Sequence, residues 1–321
     1  MREQSTWLPR KVVIVGAGAV GSTFAYALAM SGVADEIVLL DNNTDLAKGQ
    51  ALDLSHGQPF YPPVQIRVGT TEDFATAQLV VITAGTKQKP GESRLSLLQR
   101  NAQIVREIVG EVVRQNASGV LLIVTNPVDV LTYVAWQKAG WARTRVIGSG
   151  TVLDSARFRY LLSRHCNVDT QNVHAYVLGE HGDSEVPAWS MTHIAGVPIM
   201  HHCPKCNQCG DWKATHKKIA EEVRDSAYHI IGYKGATNFA VGLALVRIAS
   251  AILRNQHSVL TVSAVLDGEY GLRNVALGVP CVLGQQGIER ILTASLSQDE
   301  QTALEKSAAT LRRAIESIQV T

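Results

Sequence analysis

Lys11-Val12-Val13-Ile14-Val15-Gly16-Ala17-Gly18-Ala19-Val20-Gly21 is the stretch on which the reading of the fold turns. Its opening residues are β-branched after the lysine and read as a short strand. That strand runs into Gly-x-Gly-x-x-Gly, and the small apolar segment from Ser22 to Met30 then has helical character. The next apolar run, Glu36 to Leu40, ends in Asp41, twenty residues beyond Gly21. Strand, spaced glycines, helix and a distant acid make up a dinucleotide-binding fingerprint. Gly16, Gly18 and Gly21 let the backbone approach a pyrophosphate, and the helix N-terminus offers it unpaired N–H groups. Asp41 is placed to accept hydrogen bonds from ribose hydroxyls. Its charge repels a 2′-phosphate, which favours NAD over NADP. The alternative is a tight turn that serves only the fold.

The alternation continues outward from this unit. Val64 to Gly69 and Leu79 to Thr83 read as strands, the second running into Gly85-Thr86. Arg94 to Gln115 reads as a long helix, and Val120 to Thr125 as a strand ending at Asn126-Pro127, where proline opens the next helix. Arg145 to Gly148 reads as the last strand of the series. Such alternation predicts an α/β fold with a doubly wound parallel sheet that binds ligands at the carboxyl ends of its strands. Asp41, Gly85 and Asn126 all fall at such ends. The segment from Gly85 to Arg94 is polar and rich in turn residues, the make-up of either a mobile lid or an ordinary surface loop. On the first reading Arg94 enters the site when the lid closes.

After Gly148 the alternation stops. The expected division is a dinucleotide-binding domain over 1–148 and an α+β substrate domain over 149–321. In the second half, Leu178-Gly179-Glu180-His181-Gly182-Asp183-Ser184 sets a histidine between glycines after the apolar run from Val173 to Leu178. Imidazole suits proton transfer near neutral pH and works best when a carboxylate orients its other nitrogen. Asp154 and Arg157, three residues apart in a predicted helix, share one face and can serve a histidine and a substrate anion. A solvated helix pair beside a plain turn is the competing reading. Further on, helices are expected from about Trp212 to Gly232 and from Thr237 to Arg254. Strands are expected over Ser258 to Leu266 and Asn274 to Leu283. A closing helix from Ser297 to Ile318 begins with the capping box Ser297-x-x-Glu300.

Composition narrows the function classes. The chain has 321 residues, 46% hydrophobic and 18% charged, as expected of a globular enzyme with a sizeable core. A net charge of +2 without clustered Lys and Arg argues against nucleic acid or a membrane surface as partner. Residues 1–10 lack the apolar core of a signal peptide, so the expected location is cytoplasmic. Five cysteines do not suggest a secreted disulfide framework. Three of them, Cys203, Cys206 and Cys209, follow His201-His202 at metal-ligand spacing. The alternative is a loop of reduced thiols. No metal is expected in the catalytic site.

These motifs together resemble the bacterial L-lactate dehydrogenases of the lactate/malate dehydrogenase superfamily. The resemblance rests on Gly16 to Gly21, Gln88 with Gly91 to Arg94, Thr125 to Pro127, Asp154 to Arg159, Gly179 to Asp183 and Thr237. It covers nearly the whole chain. It implies reversible hydride transfer between NADH and pyruvate, with Val20, Gly85, Thr86, Val124, Asn126 and Ser149 also along the cofactor. It implies that His181 exchanges the proton, Asp154 holds the imidazole, Arg157 grips the substrate carboxylate and Arg94 polarises the C2 carbonyl. Asn126 then adds a hydrogen bond at the same oxygen. Gln88 stands where malate-specific members carry arginine, and Thr237 agrees with a lactate preference. Arg159 and His174 match residues that bind fructose 1,6-bisphosphate at a subunit interface in the allosteric members. The resemblance further implies a homo-oligomer, expected to be a tetramer, working in fermentative glycolysis.

Overall fold

The computed structural model describes residues 9–87, 91–202 and 210–319. Its first half is β1 (Lys11–Val15), α1 (Ala19–Ser31), β2 (Glu36–Leu40), α2 (Thr44–His56), β3 (Gln65–Val68), β4 (Leu79–Ile82), α3 (Arg94–Arg114), β5 (Val120–Ile123), α4 (Val128–Ala139) and β6 (Val146–Gly148). These strands lie in the order β3-β2-β1-β4-β5-β6, all parallel. The chain order reverses beside β1, which makes the crevice there the natural ligand site of a doubly wound sheet. The strands inside this sheet are apolar except at Lys11 and Glu36, as the buried strands of a parallel sheet require, and the edge strand β3 carries Gln65 and Arg67. In α3 the buried positions Leu98, Asn101, Ala102, Val105, Val109 and Val112 recur at helical spacing. Asn101 is the polar exception in that stripe.

The second half contains α5 (Val152–Cys166), β7 (Val173–His174), β8 (Val177–Gly179), β9 (Glu185–Pro187), β10 (His193–Ile194), β11 (Val197–Pro198), α6 (Ile199–His202), α7 (Trp212–Lys234), α8 (Phe239–Leu253), β12 (Ser258–Asp267), β13 (Arg273–Gly284), β14 (Gly287–Ile291) and α9 (Gln298–Gln319). The main sheet does not stop at β6. Ser263 of β12 pairs antiparallel with Gly148, and the sheet runs on through β13, β8 and β9. The apolar run from Val173 to Leu178 is divided between two sheets. β7 pairs with β10 in a small separate sheet, whereas β8 pairs with β13 and β9 in the main one. The helix expected from Thr237 starts two residues later, which leaves Thr237 in the half-buried link between α7 and α8. Asn238 in that link donates to Thr23 Oγ1 of α1 at 2.8 Å. The capping box of α9 forms as read: Ser297 N–H donates to Glu300 Oε2 at 2.8 Å, and Glu300 N–H to Ser297 Oγ at 3.3 Å.

Among the described residues, no helix is long and apolar enough to cross a membrane. None of them form a group of three or more His, Cys, Asp or Glu side chains suited to a metal ion. Cys203, Cys206 and Cys209 lie outside the described residues, as does Gln88.

Candidate active site

The glycine turn after β1 lines one wall of a cleft of about 630 Å³. Gly16, Gly18, Asp41, Gly85 and Thr86 border it, together with Asn42, Thr44 and residues of α3. The three glycines of the fingerprint are glycines for different reasons. Gly16 has φ +107°, and a Cβ there would lie 2.6 Å from Ala84 N. A Cβ on Gly21 would lie 1.8 Å from the Gly16 carbonyl oxygen, so α1 could not pack onto the turn. Gly18 meets nothing of the protein within 4 Å and has an ordinary φ of −70°. The fold therefore does not require glycine at that position. A bare backbone there opens room for a ligand at the N-terminus of α1, as a bound pyrophosphate needs. Asp41 closes the far side of the turn. Its Oδ2 accepts the Ala17 N–H at 2.7 Å and its Oδ1 the Asn43 N–H at 2.8 Å. Each oxygen keeps a lone pair for ribose hydroxyls. Residues and cleft fit a dinucleotide.

Hydrogen bonds at Asn101 and the first turn of α4 link this cleft to the second cluster. Asn101 Oδ1 accepts the Thr86 N–H at 2.9 Å, and Asn101 Nδ2 donates to the Asn126 carbonyl at 3.1 Å. Asn126 is exposed and precedes a cis peptide bond to Pro127 at the start of α4. Asp129, in the first turn of α4, is 1% exposed and accepts the backbone N–H of His181 at 2.7 Å. Its other oxygen accepts the Ser263 hydroxyl of β12. Burial raises the Asp129 carboxyl to about 6, against the Ser263 and His181 hydrogen bonds that favour its charge. The backbone of the histidine loop is thus fixed from beneath by α4. From α9, Ser307 Oγ accepts the Glu180 N–H at 2.8 Å.

The side chain of His181 meets Asp154. Its Nδ1 lies 2.6 Å from Asp154 Oδ2, while Arg157 Nη1 donates to Asp154 Oδ1 at 2.8 Å. One carboxylate therefore bridges an imidazole and a guanidinium. Asp154 is 2% exposed and Arg157 12%, but the imidazole is 24% exposed. The acid is sealed while the ring stays open to a ligand on the side of Nε2. The Asp154 charge lifts the His181 imidazole to about 9, against the opposing effect of burial. Burial would raise the Asp154 carboxyl, yet the His181 cation and then Arg157 outweigh it and hold it below its ordinary value. At neutral pH the ring carries its proton.

Arg94 lies exposed at the first position of α3, behind the N-cap Ser93. Its charge reaches the Tyr228 phenol of α7, whose hydroxyl donates to Asp183 Oδ1 at 2.6 Å, two residues past His181. Arg94 thus stands across from the histidine loop. Arg100 of α3 donates to Thr86 Oγ1 at 2.7 Å and pairs with Glu92 at 2.8 Å. Val20 and Val124 are half-buried against the apolar core and are not among the residues that border the cleft, and Ser149 N–H donates to the Ile123 carbonyl at the end of β5.

On the other face of α5, Arg159 Nε donates to the Ala175 carbonyl at 2.9 Å, and its guanidinium lies 5.1 Å over the Tyr176 ring. With Arg247 it lines a separate cavity of about 360 Å³ between α5 and α8. Burial lowers the Arg159 value, and the neighbouring Arg247 charge adds to the effect. His174 is exposed one residue before Ala175. Asn101, Asp129, Ser263 and Glu185 were not singled out in the sequence. Their one visible signal is a polar residue inside an otherwise apolar helix stripe or strand.

Two family profiles match the chain: lactate/malate dehydrogenase, NAD binding domain, over residues 10–148, and lactate/malate dehydrogenase, alpha/beta C-terminal domain, over residues 151–320. The chain is 58% identical over 306 residues to an L-lactate dehydrogenase of Treponema denticola, covering 95% of this chain and 97% of the relative. It is 50% identical over 311 residues to one of Acetivibrio thermocellus, covering 97% and 98%. Among solved structures it resembles a lactate dehydrogenase from a Medee basin deep-sea metagenome library, with TM-score 0.94, 42% identity and coverage of 98% and 100%. It also resembles the minor L-lactate dehydrogenase of Enterococcus mundtii in its ligands-bound form, with TM-score 0.93, 42% identity and coverage of 96% and 98%.

Proposed function

Since this chain belongs to the lactate/malate dehydrogenase family and uses NAD, we propose that it is an L-lactate dehydrogenase whose substrate pair is pyruvate and L-lactate. The observation that carries this reading is the bridging of His181 and Arg157 by Asp154. A buried carboxylate that orients an imidazole and stabilises its cation is what proton delivery to a keto oxygen requires. The bound cofactor would supply the hydride as NADH when pyruvate is reduced and take it up as NAD+ when lactate is oxidised.

The residues of the chain do the remainder. Arg157 Nη1 is engaged by Asp154, and its other N–H groups grip the substrate carboxylate side by side. His181 Nε2 donates its proton to the C2 oxygen as pyruvate is reduced and takes it back when lactate is oxidised. Arg94 polarises that carbonyl as negative charge gathers on the oxygen. Asn126 contributes a further hydrogen bond there, and Thr237 borders the methyl side. On the cofactor, Gly16, Gly18, Val20 and Gly21 hold the pyrophosphate and Asp41 the ribose. Gly85, Thr86, Val124, Asn126 and Ser149 continue along the dinucleotide.

Substrate choice falls to Gln88. A second carboxylate, as in oxaloacetate, enters a desolvated site with no cation to meet it, at a cost of several kcal/mol. Pyruvate is therefore expected to give the higher kcat/KM in an assay of NADH oxidation, and Gln88→Arg to shift the ratio toward oxaloacetate by roughly 10–100-fold. An unchanged ratio in the variant would remove Gln88 from this role.

Arg159 and His174 form the proposed site for fructose 1,6-bisphosphate. Arg159 and Arg247 line one cavity and offer a phosphate two guanidinium groups; in this reading His174, next to the Ala175 whose carbonyl Arg159 holds, adds an imidazole. Pyruvate saturation curves with and without the bisphosphate test it directly. The remaining parts of this reading are a homo-oligomer, expected as a tetramer, in the cytoplasm of a fermenting cell.

A further inference from the structure

His181 and Asp154 do not complete the set of ionisable groups at this site. Glu185 opens β9 and is held in register against Gly179 of β8, with its N–H donating to the Gly182 carbonyl at 3.1 Å. Val186, the next residue, turns into the apolar core. That alternation sends the Glu185 side chain to the opposite face, toward α5. Its Oε1 is sealed from solvent and meets no hydrogen-bond partner among the described residues. A buried carboxyl oxygen left in this way is rare and costly unless it has a use.

Its surroundings point to that use. The charged groups that act on Glu185 are Asp154 and Arg157 from α5, His181 from the loop after β8, and Arg224 from α7. From α9, which packs on β9, come the polar groups Ser307, at Ser184 and Glu180, and Glu300, which accepts the Ser190 N–H at 3.0 Å. Burial first, and then the Asp154 charge, push the Glu185 carboxyl up to about 8. It therefore gives up its proton in the same pH range as the histidine.

We propose that Glu185 is a positioning residue, a second carboxyl behind Asp154 that, once ionised, holds the proton on His181 and extends to higher pH the range in which the imidazole can donate. The proposal rests on the dehydrogenase reading for its consequence in turnover, but not for its physical content. Asp154 occupies Nδ1 directly, whereas Glu185 acts on the ring through charge alone. With both carboxyls ionised they face the two cations His181 and Arg157, and Asp129 under the histidine loop adds a further negative charge at the ring. Removing Glu185 leaves the ring with Asp154, which is shared with Arg157, and with the buried Asp129 beneath its loop.

The test uses the whole protein without substrate. Diethyl pyrocarbonate acylates neutral imidazole, so its rate of reaction at His181, followed on the peptide containing that residue by mass spectrometry, reports the proton on the ring. In Glu185→Gln the midpoint of this rate is expected to fall by roughly one pH unit relative to the parent. The pH at which lactate oxidation reaches its plateau should fall with it. Glu185→Ser, shorter and equally neutral, should give the same displacement and serves if the glutamine variant does not fold. A midpoint that stays in place in the folded variants, with or without reduced activity, overturns the proposal and leaves Glu185 a structural residue. A parent protein that fails to oxidise NADH with pyruvate would instead sink the dehydrogenase reading, and the acylation midpoints would still decide the role of Glu185.

Discussion

Replacing Asp154 with asparagine is expected to lower kcat/KM for pyruvate reduction by roughly 10²–10⁴-fold, the range typical of a lost general acid. Asparagine keeps the shape of the side chain but not its charge. His181 then loses the anion that raises its affinity for a proton, and its Nδ1–H can face an amide N–H rather than an acceptor oxygen. Arg157 is left as a buried cation without the carboxylate that now holds it. NADH binding should be nearly unchanged, because the residues of the glycine-lined cleft do not include Asp154. Steady-state kinetics beside a fluorescence titration of NADH separates the two effects. A variant that turns over pyruvate normally would contradict the role given to this acid.

The second large effect is expected at Arg157. Arg157→Lys retains a positive charge but replaces a planar fork by a point charge, so the paired bonds to a carboxylate are lost. Truncating one side of a desolvated charge pair costs roughly 2–5 kcal/mol, and the variant also surrenders the 2.8 Å bond that steadies Asp154. KM for pyruvate should rise steeply, since the substrate carboxylate is gripped in ground and transition states alike. A smaller drop in kcat should follow from the loosened acid. Measured KM for pyruvate and Kd for NADH check this: the first should change by orders of magnitude and the second hardly at all.

What could be read in the sequence was the part written locally. Gly16 to Gly21 and Asp41 lie within one strand-turn-helix-strand unit, so spacing alone identifies the nucleotide turn. The structure adds that Gly16 and Gly21 are demanded by packing, whereas Gly18 is open to a ligand. Asp154 and Arg157 were legible because three residues in a helix share a face. The meeting of Asp154 with His181, 27 residues away, followed from the resemblance and the chemistry rather than from periodicity. Asp129 was not legible as a partner of the histidine loop. Its two hydrogen bonds reach 52 and 134 residues along the chain, and no local pattern encodes contacts of that separation. Asn101 and Glu185 were hidden for the same reason, each being a polar side chain in a segment whose other residues simply pack. The division of the run from Val173 to Leu178 also lies beyond the sequence, because two different sheets compete for its edges.

The central claim is that His181, protonated through Asp154, gives that proton to a keto oxygen and recovers it in the reverse reaction. The paired pH profiles of kcat/KM for pyruvate reduction and lactate oxidation test it most directly. With the imidazole raised to about 9, the ring is charged below that pH and neutral above it. Reduction should hold level through neutral pH and fall as the pH passes about 9, while oxidation should rise over the same interval as its mirror image. Profiles that run parallel, or that are flat from about pH 6 to about 10, would show that this imidazole is not the group that carries the proton.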